Sequence, residues 1–343
     1  MRMLRVASCI TAALAASGAA AVGAFAAAVT DDALRHVAAA VFGQVKASSE
    51  AASPQAELGR ALFWDTRLSS DGKTACASCH FARDWGADRR RFSPDARGAL
   101  TSRHSPTVFN AMNQPLLRWL GDRKSGADQA ESSLTGSMGF GSKELGLAKL
   151  AELEYPSRFR AAFPDDAEAL SAANYARALA SYQATLTTPA PFDRFLAGDD
   201  AALSDRQKAG LKTFVAVGCA GCHNGANFGG TTMKKFGLLK DYWLETGSDK
   251  PDPGRFAVTK KEEDRFVFRV PMLRNVAKTA PYFHDGSVDS LERAIRVMAS
   301  VQLGHTLDDS EAASIAAFLE SLTGSVPANY APPGQQPGQP PDI

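Results

Sequence analysis

The apolar pattern of the chain opens on a run from residue 6 to residue 29, preceded by two arginines within the first five positions. A basic start, an apolar stretch and the small residues Ala24-Phe25-Ala26 make the pattern of a secretory signal cut near Ala26. The run is long enough to span a bilayer, but its Ala/Gly content makes it weakly hydrophobic. Residues 1–26 are therefore expected to be removed rather than kept as an anchor. Cys9 lies too close to the start to serve as a lipidation site. Residues 27–53 are Ala-rich and mildly helical, a leader to the first domain. Apolar positions cluster on one face of a short helix over 57–64, and a Ser/Asp/Gly loop follows over 65–73. The stretch 81–105 is charged and irregular, with Arg83, Arg89, Arg90 and Arg91 in close order, and reads as a solvated loop. A period near 3.6 returns over 168–187 and stops at Thr188-Pro189-Ala190-Pro191. Three more helices open on capping pairs: Ser204 with Gln207, Asp289 with Glu292, and Asp308 with Glu311, the last closing at Gly324. Beyond Ser325, six of the eighteen prolines fall among Gln and Gly, which predicts a disordered tail over 326–343. Strand signals are sparse, so the fold is expected to be mainly α.

The chemistry is concentrated in a pentapeptide written twice, Cys76-Ala77-Ser78-Cys79-His80 and Cys219-Ala220-Gly221-Cys222-His223. C-x-x-C-H is the attachment signature of c-type haem. The two thiols add to the porphyrin vinyl groups, and the histidine is delivered to the iron as its proximal ligand. C-x-x-C alone also serves zinc and dithiol redox centres. A four-cysteine zinc site has no need of a histidine after each pair, and a dithiol centre has no use for two copies. Two covalently bound c-type haems, using four of the five cysteines, is the better reading.

The motif histidines lie 143 positions apart in a chain of 343 residues. That length predicts two domains with one haem each. They are expected at 54–197 and 198–325, divided near Gly198. A hydrophobic share of 45% and a charged share of 22% are those of a soluble globular protein. A net charge of +1 gives no electrostatic case for nucleic acid or an anionic membrane surface. Export to an oxidising compartment agrees with the absence of a spare cysteine pair.

Function then depends on what faces each iron opposite its histidine. Two strong protein ligands make an electron carrier, whereas an open face can bind and activate a small molecule. His36 lies in the leader, His104 precedes the Ser105-Pro106 turn, and His305 reads as exposed. His284, Met272 and Met298 remain as candidates near the second motif. Met298 follows His223 by 75 positions, on a helix over 291–299. A methionine on such a helix is ordinarily a core residue, while thioether ligation would raise the potential of its iron.

The segment Phe268-Arg269-Val270-Pro271-Met272-Leu273-Arg274-Asn275-Val276-Ala277 and the run from Thr279 to Gly286 carry a specific likeness, as do Arg296-Val297-Met298 and Gln302-Leu303-Gly304. Leu58-Gly59-Arg60, the stretch 69–80 and Pro191-Phe192-Asp193 extend it over nearly the whole mature chain. On these residues the chain resembles the bacterial diheme cytochrome c peroxidase superfamily, which includes the MauG-like methylamine-utilisation enzymes. The resemblance implies two cytochrome c-like domains. It implies a low-potential peroxidatic haem on His80 and a high-potential electron-transfer haem on His223, with Met298 as the distal ligand of the latter. It further implies that Trp119 lies between the haems as a relay, and that the carbonyls of Thr279 and Pro281 bind calcium. Many such peroxidases carry a histidine between the positions of Phe81 and Arg103 that caps the first iron; this chain has none, which implies an open iron without reductive activation. Ser137 replaces the distal acid before Met138-Gly139, leaving Glu131 or Glu144 as substitutes. His104 replaces an asparagine calcium ligand.

The function implied is periplasmic reduction of hydrogen peroxide to water, with electrons from a small cytochrome c or cupredoxin. Oxidation of a residue on a partner protein is a second reading, and a diheme electron carrier without turnover a third. Family members are often dimers, so a homodimer is expected without a readable interface.

Overall fold

The computed structural model describes residues 30–48 and 53–335. The expected signal at 1–26 and the end of the tail at 336–343 lie outside the described residues. Helix α1 (Asp31–Val41) opens on Thr30, whose hydroxyl accepts the Ala33 amide at 3.3 Å. α2 (Pro54–Trp64) is capped by Ser53 and starts on a proline, where no amide is needed. After the first pentapeptide and a long irregular stretch come α3 (Gly126–Thr135), α4 (Lys143–Glu152), α5 (Tyr155–Ala162) and α6 (Ala172–Ala184). α7 (Pro191–Leu196) and α8 (Asp205–Val217) then lead to the second pentapeptide. Ser204 and Gln207 cap α8 reciprocally, as the sequence predicts, with bonds of 3.3 and 2.9 Å. Strands β1 (Met233–Lys235) and β2 (Val267–Arg269) pair antiparallel, Lys234 opposite Phe268, and bracket the short α9 (Tyr242–Thr246) and α10 (Phe256–Thr259). The chain ends on α11 (Leu291–Leu303) and α12 (Asp309–Glu320). α11 is capped by Ser290 rather than Asp289, and α12 stops at Glu320, short of Gly324. The Gly324 amide is instead used by Asn275 Oδ1 at 3.0 Å. Among the described residues the fold is mainly helical with little sheet.

Two helix crossings organise this chain, and each closes over a glycine. A Cβ on Gly59 of α2 would sit 1.9 Å from the Ala178 carbonyl oxygen of α6. A Cβ on Gly210 of α8 would sit 1.8 Å from the Ser314 carbonyl oxygen of α12. Backbone meets backbone at both points, so no larger residue fits without separating the helices. Around the first crossing pack Leu58, Leu62, Phe63, Tyr175, Leu179 and Tyr182. Around the second pack Leu211, Phe214, Ile315, Phe318 and Leu319. In each crossing the first helix precedes one pentapeptide and the second follows it, so the crossing sets the direction from which the chain enters that motif.

The packing corrects three expectations. The leader does not serve the first core: Leu34, Ala38 and Phe42 join the second, where Phe42 stacks on Phe228 at 4.1 Å. Phe192 and Phe195 of α7 belong to that same core, ahead of the expected division at Gly198. A buried ion pair explains this, because Asp193 accepts Arg274 at 2.7 and 2.9 Å and the Val45 and Ala190 amides at 2.7 Å each. The expected disorder of the tail fails up to Ala331. Tyr330 is 4% exposed and packs edge-on against Phe63, Trp64 and Phe109. Arg60 holds the Ala331 and Pro332 carbonyls at 2.7 and 3.0 Å. Composition predicts disorder from Pro and Gln and does not register one aromatic with a waiting slot.

Candidate functional site

A continuous cavity of about 710 Å³ reaches both pentapeptides, touching Cys76, Cys79 and His80 at one end and Cys219, Cys222 and His223 at the other. Each cysteine pair starts on a tight turn, Cys76–Ser78 and Cys219–Gly221, and the following histidine turns inward. His80 Nδ1 lies 2.9 Å from the Gly86 carbonyl, and His223 Nδ1 lies 3.0 Å from the Phe228 carbonyl. A carbonyl can only accept, so Nδ1 carries the proton and Nε2 keeps its lone pair. This is the tautomer an axial ligand requires, with its orienting bond already made. Burial holds both imidazoles below their ordinary range and so neutral. Burial likewise pushes the Cys76 thiol up to about 12 and Cys219 to about 11, against free thiolate. Behind His80, the Tyr330 hydroxyl donates to its carbonyl at 2.5 Å.

Trp119 is buried on the cavity wall, and its indole nitrogen donates to the His104 carbonyl at 2.8 Å. The His104 amide donates in turn to the His284 carbonyl at 2.8 Å. Trp119 also packs with Phe236, Tyr242, Phe268 and Met298, which ties this loop to the second half of the chain. Met298, on α11, lines the cavity together with His223. Of its two rivals, His284 stacks on Phe268 at 4.2 Å with its Nε2 3.5 Å from the Tyr242 hydroxyl. Met272 takes a weak bond from Gln114 at 3.7 Å. His36 and His305 are exposed. Thr279 and Pro281 line the cavity.

The structure moves the acid–base candidates away from this cavity. Glu131 is ion-paired with Lys143, Glu144 is exposed on α4, and neither lines the cavity. Ser137 and Met138 do line it, as do Gln129 and two carboxylates, Asp95 and Asp122. Arg83 and Arg89 pair with Asp84 and Arg90 with Asp88, all three with solvent-facing heads. The cavity's own arginines are others. Arg269 is 3% exposed, yet among the described residues its guanidinium reaches only neutral acceptors, Gln114 Oε1 at 2.6 Å and the Arg118 carbonyl at 2.8 Å. Burial alone pulls it down to about 10. Sequence reasoning missed Arg269, Arg118, Asp122 and Gln129, because charged and amide residues carry no sign of burial in a local pattern.

These features fit haem. Each end offers two thiols and one neutral imidazole, and a buried arginine without a counter-ion calls for an anionic group such as a propionate. Among the described residues no three His, Cys, Asp or Glu side chains converge, so the two cysteine pairs do not make one zinc site. A mainly helical chain with two such ends on one cavity defines a diheme protein. The model of the di-haem cytochrome c peroxidase family matches residues 53–201, and the chain belongs to that family of oxidoreductases. It is 44% identical over 278 residues to the cytochrome c551 peroxidase of Pseudomonas aeruginosa, covering 80% of each chain. It is 31% identical over 297 residues to the methylamine utilization protein MauG of Methylophilus methylotrophus, covering 81% of this chain and 85% of that one. The crystal structure of a MauG-like protein associated with microbial copper homeostasis matches with a TM-score of 0.70 at 26% identity, over 85% of this chain and 95% of that one. The family implies two haem groups.

Proposed function

We propose that the protein is a periplasmic peroxidase that reduces hydrogen peroxide to water with electrons from a small redox protein. Cys76 and Cys79 would tether one haem and Cys219 and Cys222 the other, in two cytochrome c-like domains, with His80 and His223 as proximal ligands. The haems supply the redox chemistry when bound; the chain supplies ligation, orientation and charge. Met298 would be the second protein ligand of the haem on His223, and its thioether would raise the potential of that iron. The first iron would keep an open face, since the stretch from Phe81 to Arg103 that follows His80 carries no histidine. Trp119, on the cavity wall, would relay electrons between the two haems. The observation that carries the reading is the cavity shared by two neutral, pre-oriented imidazoles, with the Trp119 indole on its wall.

Exposed Leu238, Leu239 and Leu303 stand beside Lys234 and Lys235 where the second end meets solvent. That surface suits a small cytochrome or cupredoxin whose own apolar patch is rimmed by carboxylates. A calcium ion on the Thr279 and Pro281 carbonyls belongs to the proposal, and it would depend on backbone oxygens. Metal analysis before and after chelation tests it.

Consumption of peroxide with a reduced cytochrome donor tests the main reading. Sustained turnover is expected, and an oxidised spectrum untouched by peroxide would contradict it. Oxidation of a partner protein is the second reading, favoured by the MauG likeness and opposed by Met298; slow consumption with a long-lived oxidised state would point to it.

A further inference from the structure

Cleaving the O–O bond of peroxide takes a group that removes a proton from one oxygen and returns it to the other, and a positive charge near the departing oxygen. Ser137 on the cavity wall can do neither well. Among the described residues two carboxylates line the cavity. Asp95 is occupied: its Oδ1 accepts the Arg97 and Ala99 amides at 2.8 and 2.9 Å, and its Oδ2 takes the Arg97 guanidinium at 3.0 Å. Asp122 differs. Its Oδ1 is enclosed and has no hydrogen-bond partner, while Oδ2 faces Arg123 at 3.4 Å and Arg118 at 3.6 Å. An enclosed carboxylate oxygen without a donor is unfavourable unless something else occupies the space beside it.

Arg118 links this carboxylate to the first end of the cavity. It donates to Gln129 Oε1 at 2.5 Å and to Ser132 Oγ at 2.8 Å, both on α3. Ala130 and Leu134 of that helix share a core with Ala77, and Cys76 packs against the same core. Arg118 has φ +60°, a conformation that non-glycine residues rarely adopt, inside a loop closed by the Leu117–Arg123 bridge. Strain of this kind gathers where a side chain must be aimed.

We propose that Asp122 is the proton-transfer residue for peroxide at the first end of the cavity, with Arg118 as its charge partner and Gln129 fixing the direction of Arg118. The inference rests on the peroxide reading above. Asp122 would take a proton from the inner oxygen of hydrogen peroxide and return it to the outer one, a haem held by His80 supplying the redox chemistry. The O–O bond breaks with its electron pair on the outer oxygen, which leaves as water past Arg118. The remaining oxygen becomes the second water with two electrons, supplied in the end by the donor protein, and two protons from solvent.

The test uses the holoprotein with Asp122→Asn, Asp122→Glu and Glu131→Gln. Hydrogen cyanide must lose its proton to bind an oxidised iron, so its binding rate reads the proton acceptor without turnover. Asp122→Asn should slow both cyanide binding and peroxide consumption by roughly 100-fold. Asp122→Glu should recover part of each rate with a shifted pH profile, and Glu131→Gln should match the wild type. Unchanged spectra and reduction potentials would separate this from a merely structural effect. If Asp122→Asn binds cyanide at the wild-type rate, the proposal is overturned. If the wild type consumes no peroxide while Asp122→Asn still slows cyanide, the peroxide reading falls and the role of Asp122 stands. Should Asp122→Asn fail to hold haem, Asp122→Glu decides: rates and pH profile identical to wild type would sink the assignment.

Discussion

A carbonyl opposite each Nδ1 fixes which nitrogen of His80 and His223 is free, and that small fact governs both ends of the cavity. The proposed asymmetry between the two ends rests on Met298. Met298→Ala should lower the reduction potential of one haem and remove a methionine-to-iron charge-transfer band; an unchanged spectrum would assign the ligand elsewhere. A second residue-scale expectation concerns pH. Burial holds His104 and His284 below their usual value, with Asp252 3.9 Å from His284 too weak to offset it. The unfolded chain takes up those protons near pH ~6.5, and the native chain resists them. Stability from these groups is therefore complete above that pH and lost as pH falls below it. Thermal melts between about pH 7 and 5 should decline, and His284→Phe should flatten the slope. Met298 entered as a ligand only through the family resemblance, but the pentapeptides were readable as chemistry because their residue types and spacing carry it. Arg269 and Asp122 were not, since their roles come from neighbours over a hundred positions away or from a loop whose closure no pattern announces.

Helix crossings make the clearest case at the scale of elements. Gly59→Ala or Gly210→Ala would drive a methyl group into a backbone oxygen of the facing helix. Each should cost at least about 3 kcal/mol, read as a fall in the denaturant midpoint; a loss within about 0.5 kcal/mol would show that the helices separate freely. Capping pairs were legible here, because Ser204 with Gln207 and Asp308 with Glu311 are local chemistry. The short strands and the true end of α12 were not, being set by contacts across the chain such as Gly324 with Asn275.

The whole molecule is stitched by ties that run against chain order. Asp193 and Arg274 join the leader, α7 and the segment before α11 in one buried pair. Arg274→Met would strand the Asp193 carboxylate and should cost about 3–5 kcal/mol. Replacing both partners by apolar residues should restore much of that, and equal losses in the single and double variants would contradict the pair's role. Tyr330 makes a similar tie to the back of His80. Both ties explain why the leader and tail, read alone, were assigned to the wrong place. Their partners lie 148 and 250 positions distant. The central claim is that one iron is sealed and the other open, and the spectrum of the oxidised holoprotein, with and without cyanide, tests it most directly. One six-coordinate histidine–methionine haem that ignores cyanide and one haem that binds it are expected. Two haems that both refuse cyanide, oxidised and reduced alike, would contradict the account.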